Sequence, residues 1–267
     1  MDGVDRSGST HRARELYGQD PASYSAGRPD YPHRVYDILV NRCHLREASR
    51  VLEIGPGTGQ VTARLLSLGA RVTAVEPNAP MAEYLEEALG GTALDVVVAS
   101  FEEARIADQR FDLAVAANAF QWVDRDIGPQ KLRRLVVPGG WVAIWGMLFD
   151  DPTRRDEFNT WLESLLGPPL AAVTDPGRLQ MLIDEAERLP ELRHAGFLDI
   201  ESELIRSDVS MNGEQVRALY ASMTTILLRP PSEWPHLLDS IEETVRDQFG
   251  DRVDLHFVVG LYTARNP

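Results

Sequence analysis

The chain has 267 residues, of which 43% are hydrophobic and 25% charged, and its formal net charge at pH 7 is −14. This length can bury a full hydrophobic core. No apolar run approaches the ~20 residues that cross a bilayer, and the polar residues 1–8 lack the apolar segment of a signal peptide. We therefore expect a cytoplasmic protein with a polar N-terminal tail and no membrane association.

The acidic charge balance also bears on partners. A net negative charge repels phosphate backbones, so no nucleic acid is expected as a partner. Cys43 is the single cysteine, which excludes an intrachain disulfide and any metal cluster built from cysteines. We expect Cys43 to be a small buried residue at the end of an apolar helix.

Short apolar runs alternate with helical patterns through the first half of the chain. Helices are predicted over residues 35–45, after Thr58, from Met81 to Leu89 and around Leu132 and Leu135, with Thr58 as a helix cap. Near-continuous apolar strands separated by helices are typical of a parallel sheet that is covered on both faces. The predicted strands are residues 50–54, 71–75, 94–99, 111–117 and 141–148.

The alternation breaks after Phe149. Residues 151–190 contain helical patterns but no predicted strand, and we interpret them as an insertion. Two further strands, 197–200 and 254–263, would complete the sheet, with helices near 212–221 and 232–249. The predicted organisation is a tail and lid segment (1–40), a core (41–150), a helical cap insertion (151–190) and the completion of the sheet with further cap helices (191–267).

A glycine-rich turn, Gly-Pro-Gly-Thr-Gly over residues 55–59, follows the first predicted strand. Glycines let the backbone approach a ligand without obstruction by Cβ atoms. The turn would lie at the carboxyl ends of the strands, where strands one and four diverge. A dinucleotide fingerprint needs its third glycine at position 60, where this chain has Gln60. The spacing therefore disfavours a nicotinamide-dependent oxidoreductase, whereas a purely structural turn stays open as an interpretation.

Residues 51–59 resemble the first motif of class I methyltransferases that use S-adenosylmethionine (SAM), [VL]-[LD]-[ED]-[ILV]-G-x-G-x-G. The resemblance implies SAM as cofactor and S-adenosylhomocysteine (SAH) as product. It also implies a doubly wound, Rossmann-like α/β sheet, mostly parallel with an antiparallel final strand, plus a helical cap. In the family, Gly55, Gly57 and Gly59 would line the methionine part of SAM, and Glu53 would orient its ammonium. Glu76, at the end of strand two, can accept hydrogen bonds from two ribose hydroxyls.

The ends of the second and third strands extend the resemblance. Glu76-Pro77-Asn78 followed by Met81 matches the family's pattern after the acid, which implies that Pro77 and Met81 contribute to the cofactor site. The helical spacing of Met81 also suits a core residue, and we favour that role. Ser100 and Phe101 occupy the adenine-contacting position of the family, where Phe101 would either stack on the base or pack in the core.

The end of the fourth strand resembles an A-x-x-F-H-W stretch of a subgroup that methylates small molecules. It comprises residues 118–122, with Asn118 as a cofactor-site residue and Gln121 where histidine is common. Residues 138–140, Pro-Gly-Gly, match an L-x-P-G-G turn found in most of these enzymes.

An N-terminal segment narrows the resemblance further. Residues 24–32 are similar to the Y-x-x-x-R-P-x-Y-P sequence of methyltransferases of the trans-aconitate, cantharidin and gliotoxin-type thiol group. In that group the segment folds over the cofactor, so the resemblance implies that Tyr24 and Arg28 contact SAM. Arg28 could pair with the SAM carboxylate, or it could be a surface arginine beside a rigid proline turn.

Few residues are candidates for catalysis. Methyl transfer from a sulfonium is an in-line displacement, so the protein mainly positions the acceptor and excludes water. A base is needed only for a protonated, weakly acidic acceptor. The histidines show no ligand spacing, and Asp124 and Asp126 are expected at the start of a helix, so no metal is predicted. Of Tyr24, His33 and Gln121, we expect Tyr24 and Gln121 to position the acceptor.

The sequence therefore predicts transfer of a methyl group to an oxygen or sulfur atom of a small molecule. The cap, 151–190 with 205–232, would cover the acceptor with Trp161, Tyr220, Met223 and Trp234, for which helix packing is an equally good interpretation. A nucleic-acid methyltransferase is disfavoured, because strand four lacks the [DN]-P-P-[FYW] motif that holds a flipped base. A protein methyltransferase and a catalytically silent SAM-binding module are two further hypotheses. The acceptor and the oligomeric state stay open.

Overall fold

The computed structural model describes residue 16 and residues 18–151, 153–167 and 185–267. These form two compact units. The first comprises the described residues of Met1–Pro29, Leu148–Leu179 and Arg206–Val258, and the second those of Asp30–Met147, Gln180–Ile205 and Val259–Pro267. The predicted polar tail, residues 1–8, and the predicted helical positions near the end of the insertion lie outside the described residues.

Strands and helices alternate along the first half of the chain, as predicted. The strands are β1 (Arg50–Ile54), β2 (Arg71–Glu76), β3 (Leu94–Val98), β4 (Phe111–Ala117), β5 (Val136–Leu148), β6 (Leu198–Met211) and β7 (Val253–Arg265). The helices are α1 (Pro21–Gly27), α2 (His33–Asn41), α3 (Gln60–Ser67), α4 (Ala79–Leu89), α5 (Gly128–Leu135), α6 (Glu157–Leu166), α7 (Glu185–His194), α8 (Gly213–Ala221), α9 (Thr224–Leu227) and α10 (Trp234–Gln248). None of these helices is long and apolar enough to cross a membrane.

The seven strands form one sheet in the order β3-β2-β1-β4-β5-β7-β6. The first five pair in parallel, whereas β7 is antiparallel to its neighbours. The predicted Rossmann-like fold with an antiparallel final strand is therefore confirmed. The chain winds outward from β1 to β3 in one direction and from β4 in the other. Ligands of such sheets bind at the carboxyl ends of the strands, at this switch point between β1 and β4.

A hydrophobic core lies behind that switch point in the second unit. It joins side chains of β1, β4 and β5 to Leu132 and Leu135 of α5 and to Leu192 of α7. The aromatic rings of Phe101 and Phe120, which follow β3 and β4, are part of the same cluster. Packing of this core therefore fixes the loops that follow the strands.

Strand β5 begins at Val136, five residues before the predicted start at Trp141, and includes the Pro-Gly-Gly turn. The extension has a physical cause outside the local sequence. Asn266 donates its backbone N–H to the Gly140 carbonyl at 2.7 Å, and its Nδ2 donates to the Val136 carbonyl at 2.7 Å. The end of β7 thus holds the residues before Trp141 in extended form.

Strand β6 has 14 residues, where the sequence predicted a strand of only four, 197–200. It is one of the two edge strands of the sheet, the other being β3. Its charged side chains hid it from a search for apolar runs, because an edge strand carries charges that block further pairing. Glu203, for example, receives two hydrogen bonds from the guanidinium of Arg34, at 2.6 and 3.0 Å.

Two local predictions are wrong. Helix α2 ends at Asn41 and not at Leu45, because the chain turns through His44, whose φ is +56°. Cys43 is buried just beyond the helix, and burial raises its pKa to about 12. Thr58 does not cap α3, since Gly59 is the cap residue and the Thr58 hydroxyl bonds to the side chain of Gln60.

Candidate functional site

The three glycines after β1 differ in what surrounds them. A Cβ atom on Gly55 would lie 2.6 Å from the Cβ of Ala119, and one on Gly59 would lie 2.5 Å from Cδ1 of Leu85. Packing against Ala119 therefore requires glycine at position 55, whereas at position 59, where the neighbour is the end of a leucine side chain, the φ of +91° favours glycine. Gly57 has a φ of +57°, and no atom lies within 4 Å of its added Cβ. Of the three, only Gly57 borders open space that a ligand could enter.

Glu53 is a carboxylate inside a buried parallel strand, with 1% of its surface exposed. Its Oε2 accepts a hydrogen bond from the Thr62 hydroxyl at 2.7 Å. Burial raises the pKa of Glu53 to about 7, an effect that the Thr62 hydrogen bond opposes and the nearby charge of Glu76 reinforces. A carboxylate in such surroundings is stabilised by a cation that binds next to it. The sequence predicted Glu53 within a buried strand of the sheet, as the structure shows.

Glu76 ends β2 and is 6% exposed. Its Oε2 accepts from the backbone N–H of Gly57 at 3.0 Å, and its Oε1 accepts from the N–H of Asn78 at 2.9 Å. The carboxylate thereby joins the glycine turn to the start of α4. Pro77 is exposed beside it, whereas Met81 is buried, 3% exposed, on the first turn of α4. The structure thus places Met81 in the core position that we favoured.

The turn after β3 contains Ser100 and Phe101. The Ser100 hydroxyl accepts from the backbone N–H of Glu103 at 3.2 Å and donates to its carboxylate at 3.1 Å. Phe101 is 3% exposed and packs in the core cluster, which favours packing over stacking on a base. The backbone N–H of Ala99 donates to the Glu76 carbonyl at 3.1 Å, so the ends of β2 and β3 are joined.

Asn118 directly follows β4 with a φ of +50° and forms hydrogen bonds with both ends of its side-chain amide. Its Nδ2 donates to the Tyr31 hydroxyl at 3.0 Å, and its Oδ1 accepts from the Met147 N–H at 2.7 Å. Gln121 donates from Nε2 to the Asn118 carbonyl at 2.9 Å. The ring of Tyr31 also meets that of Trp145 edge to face, with centroids 5.7 Å apart. These side chains hold the ends of β4 and β5 together.

Tyr24 and Arg28 belong to the first unit, whereas Tyr31, from the same sequence motif, belongs to the second. The Arg28 guanidinium lies 4.7 Å from the ring centroid of Tyr24 and 4.8 Å from that of Phe149. It donates to the Ser222 carbonyl at 2.7 Å. Arg28 is therefore bound to its own unit and is not a free surface arginine.

The remaining predicted candidates have structural contacts. Asp124 Oδ1 accepts from the backbone N–H groups of Asp126 and Ile127, at 2.9 and 3.0 Å, in the turn before α5. The predicted acidic start of the helix thus lies one turn early, since the first turn of α5 contains no acidic residue. His33 is exposed at the first position of α2. Over the described ranges, no group of three His, Cys, Asp or Glu side chains is arranged to hold a metal ion.

The predicted cap residues lie in the first unit and pack within it. Trp161 stacks on Phe158, with ring centroids 5.8 Å apart, and Trp234 donates its indole N–H to the Arg229 carbonyl at 2.9 Å. Tyr220 is buried, and burial raises the pKa of its hydroxyl. These contacts are those of side chains that pack helices together, which was one of the two predicted roles.

One charged residue at this edge of the sheet escaped the sequence analysis. Lys131, on α5, is 7% exposed. Its Nζ donates to the carbonyls of Phe101 and Ala104, both at 2.6 Å, and to that of Glu102 at 3.2 Å. Burial lowers the pKa of Lys131, and the charge of Arg134 lowers it further. The signal was present, because Lys131 is the only lysine in the sequence.

Comparison with known proteins agrees with this geometry. Residues 52–144 match a family described as the methyltransferase domain. A methyltransferase of Schizosaccharomyces pombe is 27% identical over 251 residues, which are 92% of this chain and 94% of the relative. The malonyl-[acyl-carrier protein] O-methyltransferase of Pseudescherichia vulneris is 36% identical over 110 residues, 40% of this chain and 43% of that protein.

A solved structure extends the comparison to the fold. Phosphoethanolamine N-methyltransferase 2 of Haemonchus contortus, in complex with SAM, superposes with a TM-score of 0.58 at 18% sequence identity. The match covers 98% of this chain and 59% of that chain. The present chain thus spans less than two thirds of that enzyme, and at this identity the likeness shows a common fold alone.

Proposed function

We propose that this chain is a SAM-dependent methyltransferase that transfers the methyl group of SAM to an oxygen or sulfur atom of a small molecule. The choice of an oxygen or sulfur acceptor rests on the resemblance of residues 24–32 to methyltransferases of the trans-aconitate, cantharidin and gliotoxin-type thiol group. The structural observation beside it is the hydrogen bonding of Asn118, whose side chain bonds to the Met147 N–H and the Tyr31 hydroxyl. Asn118 thereby fixes the loop that carries Gln121 at the end of β4.

The residues of the second unit fit the cofactor. Glu53 offers a buried carboxylate to the ammonium of SAM, and the open side of Gly57 admits the methionine part. Glu76 would accept from the ribose hydroxyls, because each carboxylate oxygen can accept more than one hydrogen bond. The remaining proposed contacts are Gly55, Gly59, Pro77, Met81, Ser100, Phe101 and Asn118, with Ser100 and the backbone of Phe101 at the adenine.

SAM supplies an activated methyl group, whose bond to the sulfonium breaks as the bond to the acceptor forms. The protein must orient the acceptor's lone pair and exclude water. Gln121 is suited to this task, because its Nε2 is fixed by the Asn118 carbonyl. Its Oε1 would then accept a hydrogen bond from the hydroxyl or thiol of the methyl acceptor. For Tyr24 as a second positioning group and Arg28 as a partner of the SAM carboxylate, the proposal rests on sequence resemblance.

Similarity to named enzymes gives limited support. The name of the Pseudescherichia relative specifies O-methylation, and it is similar to this chain over 110 residues only. The name of the Haemonchus enzyme specifies N-methylation, and its likeness is one of fold. The acidic net charge of −14 disfavours a polynucleotide substrate.

Transfer of label from SAM tests the acceptor class. The enzyme is incubated with [methyl-³H]SAM and a whole-cell extract, which is then separated into low-molecular-weight, protein and nucleic-acid fractions. We expect label in the low-molecular-weight fraction. A panel of thiols, carboxylic acids and phenols then shows whether the methyl group is transferred to sulfur or to oxygen. Label confined to protein or nucleic acid would contradict the proposal, and no transfer to any fraction by a SAM-binding preparation would indicate a silent binding module.

A further inference from the structure

The ammonium of Lys131 binds three backbone carbonyls of one turn. The carbonyls of Phe101, Glu102 and Ala104 converge on Nζ at 2.6, 3.2 and 2.6 Å. Nζ also lies 5.1 Å from the ring centroid of Phe101. Three N–H donors on one nitrogen thus meet three acceptors. The ammonium charge of Lys131 therefore fixes the conformation of this turn.

The choice of lysine at this position is unusual for this chain. Of its 27 lysine and arginine residues, Lys131 alone is lysine. A guanidinium presents its donors in a planar fork, whereas an ammonium is a compact point charge with three donors around one atom. Only the ammonium can satisfy three carbonyls that converge on one point. The chemistry of the turn therefore requires lysine where the rest of the chain uses arginine.

The turn that Lys131 holds begins directly after β3, beside Glu76. The backbone N–H of Ala99 donates to the Glu76 carbonyl at 3.1 Å, and the N–H of Asp124 donates to the Glu102 carboxylate at 2.7 Å. The turn is thus bound to β2 on one side and to the loop after β4 on the other. Without the ammonium, three converging carbonyls would repel one another and lose their buried partner.

We propose that Lys131 is a positioning residue for the adenine end of the cofactor. By drawing three carbonyls to one point, it holds Ser100 and the Phe101 backbone in the arrangement that recognises the base. The inference rests on the proposed adenine site at the end of β3. Both the affinity for the cofactor and the preference for adenine over a base without the exocyclic amino group then depend on this one ammonium.

Binding of two ligands to one variant tests the inference. Lys131→Met keeps an unbranched apolar side chain, one atom shorter than lysine, and removes the ammonium. Calorimetry with SAH and with S-inosyl-L-homocysteine, in which a carbonyl replaces the adenine amino group, measures affinity and base preference together. We expect the variant to bind SAH roughly tenfold more weakly and the inosine analogue with little change, because the lost contacts are those to adenine.

Arg134→Met is the matched control. It removes a positive charge from the same helix, and its side chain is 58% exposed in an ion pair with Asp108. The control should bind both ligands as the unaltered enzyme does. If Lys131→Met retains full affinity and base preference, the inference is overturned. It is equally overturned if both ligands weaken by the same factor, since that is the signature of a general structural role.

The single lysine also permits a test without substitution. Protein labelled with ¹⁵N-lysine carries one side-chain Nζ resonance, that of Lys131. Saturation with SAH should shift this resonance, and the inosine analogue should shift it less. An unchanged resonance at saturation contradicts the inference even if every variant misfolds. Because these measurements use SAH binding and not turnover, they stand apart from the test of the methyl acceptor.

Discussion

Glu76→Ala is expected to weaken SAM binding about 100-fold, which corresponds to the loss of two hydrogen bonds to a charged group. The carboxylate is 6% exposed and is fixed by the N–H groups of Gly57 and Asn78. Its orientation is therefore fixed before any ligand binds, as the proposed contact with the ribose requires. Calorimetric titration with SAM gives the change in affinity, and circular dichroism should show an unchanged fold.

Glu76→Gln sharpens this prediction. Both carboxylate oxygens accept from backbone N–H groups, so a glutamine must turn its NH₂ toward one of these donors. We expect the amide variant to bind SAM nearly as weakly as the alanine variant. Glu86→Ala, which removes an exposed carboxylate from α4, is the control and should bind normally. Unchanged affinity in Glu76→Ala would show that the ribose assignment is wrong.

Glu53→Gln is expected to affect binding and stability in opposite directions. Loss of the buried negative charge removes the partner of the SAM ammonium, so affinity should fall about 10–100-fold at pH 8. The ligand-free protein should become more stable at that pH. Chemical denaturation of both forms, together with calorimetry, measures the two effects on the same preparations.

The sign of the stability effect follows from the pKa of Glu53. Burial raises it from an ordinary 4.5 to about 7 in the folded protein. As pH rises from about 4.5, the unfolded chain ionises first, so the free energy of unfolding falls until the folded pKa is passed. Above pH 7 the buried charge of Glu53 lowers the free energy of unfolding by about 3 kcal/mol at most. The neutral amide of Glu53→Gln removes this penalty.

Affinity for SAM should depend on pH for the same reason. A bound cation favours the ionised carboxylate, so the unaltered enzyme should bind SAM more tightly as pH rises through 7 and release a proton on binding. Calorimetry in buffers with different ionisation enthalpies counts that proton. Glu53→Gln should lose the proton release attributed to this group. The same release from both forms would exclude Glu53 as the ammonium partner.

Several features could be predicted from the sequence because their causes are local. Near-continuous apolar runs identify strands of a parallel sheet, and the glycine turn between β1 and α3 follows from its spacing. Asn118 and Gln121 could be placed at the end of β4 from the motif alone. In each case the signal lies within a few neighbouring residues.

Other features depend on contacts between distant residues. The length of β5 depends on Asn266, more than a hundred residues away in the chain, and β6 is hidden by the charges of an edge strand. The distinct surroundings of Gly55, Gly57 and Gly59 arise from Ala119 and Leu85, which no local pattern names. The four-part division of the chain, with a cap over the acceptor, stays a prediction.

The role proposed for Lys131 could be predicted from the sequence only in part. Its position on α5 says nothing about a turn that ends some 27 residues earlier. Its uniqueness in a chain that otherwise uses arginine was visible from composition, but composition cannot say which carbonyls it binds. Only the fold brings α5 and the turn after β3 together.

SAM affinity of Gly57→Ala, compared with that of Gly91→Ala, tests most directly whether the glycine turn binds the cofactor. Both glycines have positive φ, +57° and +78°, and neither would bring an added Cβ within 4 Å of another atom. The backbone strain, about 1 kcal/mol, is thus matched. We predict that calorimetry will show normal binding by Gly91→Ala and a loss of about 100-fold in Gly57→Ala, where the methyl group fills the ligand's space. Equal affinity in the two variants would contradict the assignment of this turn to the cofactor.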